Sequence, residues 1–260
     1  AAALLIVPFG VAVLLFRSHE KIDLIGLQPL GFIVVLIGLL ALAWSESRSA
    51  MMAIWLTLIW VLVRGVRSWV WRLPIGTLVM ASPLLVVASL PATSRASFLL
   101  TASLLWRTVG ERAYLLSSGV EQWRESLWFG IGMNEYRNVF TPPILENGAN
   151  PGDTALWPTR DYDVAHVHNV FLQTALDVGL VGLAAYCGVL GLLLFKADQA
   201  ARGPTGPGRA AAVGGGLSLV AISMFGLGDA VALGAKVGLF QWLAAGLILA
   251  AWRTQLESTG

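Results

Sequence analysis

The chain is 260 residues long, 57% hydrophobic and only 12% charged, with a formal net charge of +2. A soluble globular domain carries roughly 25% charged residues; half that share, together with 11 tryptophans, excludes an ordinary soluble domain and points to a polytopic membrane protein. The small net charge argues against a nucleic-acid partner, and the single Cys187 excludes a disulfide framework.

The sequence opens Ala1-Ala2-Ala3, without Met and already inside an apolar run, and shows no three-part signal peptide. It is expected to be a fragment or a trimmed chain lacking earlier spans. Apolar runs follow at about 4–16, 29–44, 50–63 and 73–90. The first and third are short for a spanning helix, which needs roughly 20 residues. Three more runs lie at 169–195, 209–227 and 231–252, so seven spans are expected in all. Arg17 and Lys21, then Arg64, Arg67 and Arg72, then Lys196, Arg202 and Arg209, and finally Arg253 all fall on one side of an alternating seven-span chain. The opposite short connections hold only Arg48 and Lys236. By the positive-inside rule the basic side is cytoplasmic, which puts the long segment before His168 in the periplasm. The expected fold is therefore all-α and polytopic: four spans over 1–91, a periplasmic loop over 92–168 and three spans over 169–260.

Within the loop, "LLWRTVGERAYLLSSGVEQWRESLWFGIG" has apolar residues at helical spacing and reads as one or two amphipathic helices on the membrane surface. "FGIGMNEY" turns on Gly130 and Gly132, and "TPPILENGANPGDTALWPT" is a loop by its Pro, Gly and Asn content. Trp106, Trp123, Trp128 and Trp157 suit either sugar stacking or anchoring at the interface. The small residues of Ala210–Gly216 are expected to let helices pack closely.

Polar chemistry concentrates on the outer side. Arg48 sits among Ser45, Ser47 and Ser49 where two spans meet. An interfacial arginine needs no function, yet arginine is disfavoured on this side and its fork suits phosphate. Arg112, beside Glu111, reads from the residues alone as part of a solvated helix face. His166 and His168 form H-x-H with Asp161 and Asp163 nearby. On an extended stretch the two rings share a face, but no third His or Cys joins them, so no metal ligand is assigned. Asp161-Tyr162-Asp163 has the D-x-D form used with nucleotide sugars, which are cytoplasmic, whereas this loop is expected outside. A neutral histidine, titrating near pH 6.5 when unperturbed, suits removal of a hydroxyl proton. Asn169 stands where the next span begins and is a candidate N-cap. Asp229 and Lys236 occupy the last outer turn, and Asp177 lies near the outer end of a span.

These residues carry a resemblance. His168-Asn169, nine residues, then Gly179-Leu180-Val181-Gly182 is similar to the H-[NSQ]-x9-G-x-x-G signature of O-antigen ligases and related Wzy-type polymerases. Ser47-Arg48-Ser49-Ala50 resembles that family's S-R-small-small segment. Arg112 followed by Gly130-Ile131-Gly132-Met133-Asn134-Glu135-Tyr136 resembles its R…G-x-G-x-x-x-[FY] block. The three blocks come in the family's order and the likeness covers about residues 44–252. It implies a glycosyltransferase of the bacterial inner membrane, active on the periplasmic face. It implies a glycan on undecaprenyl pyrophosphate as the donor and the hydroxyl of lipid A-core as the acceptor. It implies His168 as base and Arg48 and Arg112 as pyrophosphate ligands, with no cofactor and no metal. His166, Asn169, Asp161, Asp163 and Asp229 are supporting candidates. Repeat-unit polymerases and protein O-oligosaccharyltransferases share this chemistry with other acceptors. A polysaccharide-lipid transporter is the rival of another class, and ionisable residues buried within the spans would favour it.

Overall fold

The computed structural model describes residues 2–15, 27–44, 47–65, 112–140, 166–203, 207–229 and 236–259. Every regular element among them is helical. The helices are α1 (Ala2–Leu15), α2 (Leu27–Trp44), α3 (Arg48–Gly65), α4 (112–125), the single turn α5 (Tyr136–Val139), α6 (Val170–Ala201), α7 (Pro207–Gly228) and α8 (Lys236–Thr259). The expected span at 73–90, the loop over 141–165 and Trp106, Trp157, Asp161 and Asp163 lie outside the described residues.

Two of these helices, α6 and α7, are long and apolar enough to cross a membrane. They bury different fractions of their surface, for a reason legible in their residues. On α6, Val181, Val189, Leu192 and Phe195 are between 43% and 57% exposed. Such a row of bare aliphatic side chains is unfavourable in water but costs nothing against lipid tails, which are as apolar as leucine. The eighteen residues from Val178 to Phe195 carry no charge. At about 1.5 Å per residue they rise ~27 Å, close to the ~30 Å of a hydrocarbon core.

The chain divides into two compact units. The first comprises Ala1–Trp60 and Ala184–Gly260, and α7 runs through its middle. The small-residue stretch of α7 behaves as its composition predicts. A Cβ on Gly214 would lie 2.6 Å from Phe9 of α1, one on Gly215 2.9 Å from Ile248 of α8, and one on Gly216 3.0 Å from Ala197 of α6. Three consecutive glycines thus admit three neighbours, because each points about 100° further round the helix. Leu4, Val7, Leu42, Ala50, Ala53, Ile54, Ala221 and Ile222 close a core over α1, α2, α3 and α7. Gln241, buried on α8, donates its Nε2–H to the Tyr186 hydroxyl on α6 at 3.2 Å, a polar tie between helices. At the far end of α6 the Lys196 ammonium stands 3.7 Å over the Trp252 ring. Arg202 pairs with Asp198 and Arg253 with Glu257. Lys196, Arg202 and Arg253 therefore collect at one end of this unit, where the C-termini of α6 and α8 meet through Gln255 Nε2–H and the Ala200 carbonyl.

Candidate functional site

The second unit, Val61–Leu183, holds His166 and His168. Its described core is small: Leu115, Tyr136, Val167 and Leu176, with Tyr114, Trp123, Ile131, Phe140 and Leu172 packed around them. Three elements meet there. Helix α4 contributes the stripe 112, 115, 119, a helical face by its three- and four-residue spacing. Gly119 at its centre is required for close approach: a Cβ would lie 2.7 Å from Val167 and 3.1 Å from Leu172. Val167, wholly buried, is thus the peg that seats the histidine segment on α4.

His166 and His168 flank that peg, each half-buried. The H-x-H stretch turns rather than running extended. His168 has φ 52°, in the left-handed region, uncommon for a residue with a side chain and a mark of functional segments. The rings still approach, at 4.4 Å between centroids and 76° between planes. The His168 backbone N–H donates to His166 Nδ1 at 3.4 Å. His166 therefore supports the turn that presents His168.

Asn169 is the N-cap of α6. Its Oδ1 accepts the backbone N–H groups of Phe171 at 3.0 Å and Leu172 at 2.9 Å, as a cap must to satisfy a helix's free donors. Two further polar residues continue its face at four-residue intervals. Gln173, buried, accepts the Val167 N–H at Oε1 (3.2 Å) and donates from Nε2 to Asp177 Oδ1 (2.8 Å). Asp177 Oδ1 also accepts the Asn134 backbone N–H at 3.1 Å. Asn169, Gln173 and Asp177 thus form a ladder tying the histidine turn to the Gly130–Asn134 turn. The sequence alone passed over Gln173 and placed Asp177 only as an ionisable residue near the outer end of a span. The signal was present as polar residues at 169, 173 and 177 on one face of an otherwise apolar helix.

The glycines of the His168 signature have a different use from helix packing. Gly179 breaks α6, with φ 70° and ψ −171°, a conformation essentially restricted to glycine. A Cβ there would collide with the Trp128 carbonyl and the Phe129 nitrogen. Across the joint, a Cβ on Gly130 would lie 2.7 Å from the Gly179 nitrogen. The freed backbone groups of α6 are taken up by the turn: Ile131 N–H donates to the Leu176 carbonyl (2.7 Å) and Leu180 N–H to the Leu127 carbonyl (2.9 Å). Two glycine motifs far apart in sequence are the halves of one backbone joint.

Tyr136, the aromatic of the G-x-G block, is wholly buried; its hydroxyl donates to the Leu115 carbonyl at 3.2 Å and its ring packs on Phe140. Burial pushes its phenol up to about 12, partly offset by the Ser118 hydroxyl. A raised folded value means that the stabilisation is complete below pH 10 and fades as pH climbs through about 12. This unit is therefore expected to lose stability across that window, and Tyr136→Phe to flatten the slope, as read by alkaline titration of tryptophan fluorescence.

Of the other candidates, Arg112 begins the described part of α4, half-buried and on the same stripe as Leu115 and Gly119, not on a fully solvated face. Arg48 belongs to the first unit, as the first residue of α3. Ser47 caps that helix through Oγ, accepting the Ala50 N–H at 3.4 Å. Asp229, half-buried, follows the last turn of α7 in the first unit. Trp123 turns inward, its Nε1–H donating to the Leu127 carbonyl (3.1 Å), whereas Trp128 is 59% exposed.

No curated protein matches the chain. The O-antigen ligase family model matches residues 33–187, more than half of its length. The matched region includes Arg48, Arg112, the G-x-G turn, His168 and both glycines of the broken helix, and ends before Asp229. With its order of blocks, its helical architecture and its two membrane-length helices, the chain belongs to the O-antigen ligase family.

Proposed function

We propose that the protein transfers a glycan from undecaprenyl pyrophosphate to the hydroxyl of lipid A-core, at the periplasmic face of the bacterial inner membrane. Family membership brings glycan transfer as the class of reaction and the membrane as its setting. The observation that carries the finer reading is the presentation of His168: a half-buried imidazole on a left-handed residue, braced by Val167 in α4 and by the Asn169 cap.

In the proposed reaction the acceptor oxygen attacks the anomeric carbon while the bond to the pyrophosphate oxygen breaks. The acceptor proton passes to His168, and undecaprenyl pyrophosphate leaves with the bonding pair. One displacement inverts the anomeric centre. Pyrophosphate is an acidic leaving group, so it needs cations rather than a proton donor; Arg48 and Arg112 are proposed to bind it. Donor stabilisation of this kind is worth about 10²–10³-fold in rate. Arg112→Ala is expected to lower transfer by that order in a reconstituted assay with lipid-linked glycan and lipid A-core. Full transfer by this variant would remove Arg112 from the site. Supplying a second lipid-linked repeat or a protein in place of lipid A-core separates ligase from polymerase and from protein glycosylation.

The spans are proposed to place the end bearing Lys196, Arg202 and Arg253 in the cytoplasm and His168 in the periplasm. Of the membrane-length helices, α6 carries Asp177 near its outer end, bonded to Gln173 and the Asn134 backbone. That use as a local tie, away from the middle of the span, favours a transferase over a transporter.

A further inference from the structure

The turn between α4 and α5 carries an apolar tip that the other described residues leave exposed. Leu127 is 38% exposed, Trp128 59%, Phe129 78% and Met133 60%. A water-facing protrusion would not collect four large apolar side chains in seven residues. Exposed charges bracket the tip on both sides, Arg124 and Glu125 before it, Glu135 and Arg137 after it. The alternation is polar, apolar, polar along the chain, the composition of a segment dipping into a membrane interface.

The depth of the tip follows from its hydrogen bonds. Leu127 and Trp128 accept from Leu180 and Val181, and Ile131 donates to Leu176. These partners straddle the point at which α6 passes from Asp177, the charged residue nearest its start, into the charge-free stretch Val178–Phe195. With that charge-free stretch taken as the part of α6 inside the hydrocarbon core, a turn bonded at its start lies at the boundary between headgroups and acyl chains. Its polar side meets Asp177 through the Asn134 N–H. On its apolar side the Trp128 carbonyl meets the N–H of Val181, itself 54% exposed on the helix. The exposed tip thus adjoins the exposed Val181 of α6, and tryptophan is the residue most at home at a membrane interface.

We propose that residues 127–133 form a membrane anchor, with Leu127, Trp128, Phe129 and Met133 seated in bilayer lipid beside the break in α6. The Gly130–Gly179 joint then fixes the height of the histidine turn above the bilayer, because the Asn169–Gln173–Asp177 ladder links the two turns.

The test places a nitroxide on Phe129→Cys in the full chain, with Cys187→Ser as background because Cys187 is exposed. The reference label is on Ser117→Cys, on an exposed position of α4. The protein is reconstituted in nanodiscs of phosphatidylethanolamine and phosphatidylglycerol. Power saturation then compares collisions with oxygen, which partitions into lipid, and with a water-soluble nickel chelate. A several-fold higher oxygen-to-nickel ratio at Phe129 than at Ser117 is expected. Nickel access equal to that at Ser117 would overturn the proposal in favour of a tip in water. Protection from both reagents would overturn it in favour of a covering protein segment or glycan. Met133→Cys reads the same contrast where Phe129→Cys does not yield folded protein.

Discussion

Replacing His168 by Asn is expected to lower glycan transfer by about 10²–10⁴-fold, the usual worth of a positioned general base, with folding retained. Asparagine is the informative substitution because His168 has φ 52°. Left-handed backbone costs most L-residues about 1–2 kcal/mol, and Asn is among the few that adopt it readily. His168→Ala would mix loss of the imidazole with strain next to the α6 cap. The contrast with His166→Asn adds resolution. His166 offers its Nδ1 to the His168 N–H, so its loss should loosen the turn and reduce transfer far less than loss of His168. Steady-state transfer to lipid A-core, alongside thermal stability in detergent, checks both. Equal effects of the two substitutions would count against His168 as the base.

The second large effect is expected at the joint. Gly179→Ala should destabilise the protein by at least about 3 kcal/mol: the glycine-only backbone costs of order 1–3 kcal/mol, and the new methyl would also overlap the Trp128 carbonyl and the Phe129 nitrogen. Neither obstacle is a flexible side chain that could swing aside. Relief requires parting the turn from α6, with loss of the Ile131–Leu176 and Leu180–Leu127 hydrogen bonds. The same substitution further along α6 should act in the opposite direction. Gly188 and Gly191 have nothing within 4 Å of a built Cβ, so alanine there gains roughly 0.5–1 kcal/mol from reduced backbone freedom. Thermal unfolding of the three variants, and protease susceptibility of the 112–140 segment, would show the split. A mild Gly179→Ala would mean that α6 can run unbroken.

These two sites differ in how much of them could be read in advance. The candidate base was legible because His168-Asn169 and the two glycines lie within fifteen residues, a spacing that one short segment can carry. The cap was legible for the same reason, since Asn169 bonds only to residues two and three positions on. The meaning of the glycines was not. Gly179 is explained by Trp128 and Phe129, about fifty residues earlier in the chain, and nothing in the local pattern names that partner. An extended H-x-H would bring two rings to one side by simple alternation. The left-handed residue achieves the same approach by a turn.

The sequence by itself determined the helical class and the membrane-length runs of α6 and α7. Low charge, long apolar runs and small-residue stripes dictate helices packed in a membrane, because in lipid each backbone group must be satisfied within its own segment. The membrane-length helices α6 and α7, and the glycine stripe of α7, follow from that local requirement. Only the tertiary structure decided what holds the histidine turn: Val167 against Gly119, Gln173 on the Val167 N–H, Asp177 on the Asn134 N–H, and Gly130 against Gly179. Apart from the local Gln173–Val167 bond, each of these contacts joins a residue of 167–179 to a backbone group or a gap whose position depends on how the chain returns. Hydrogen-bond partners across a turn or between helices are chosen by packing in space, and a one-dimensional pattern records the donors and acceptors without recording who meets whom.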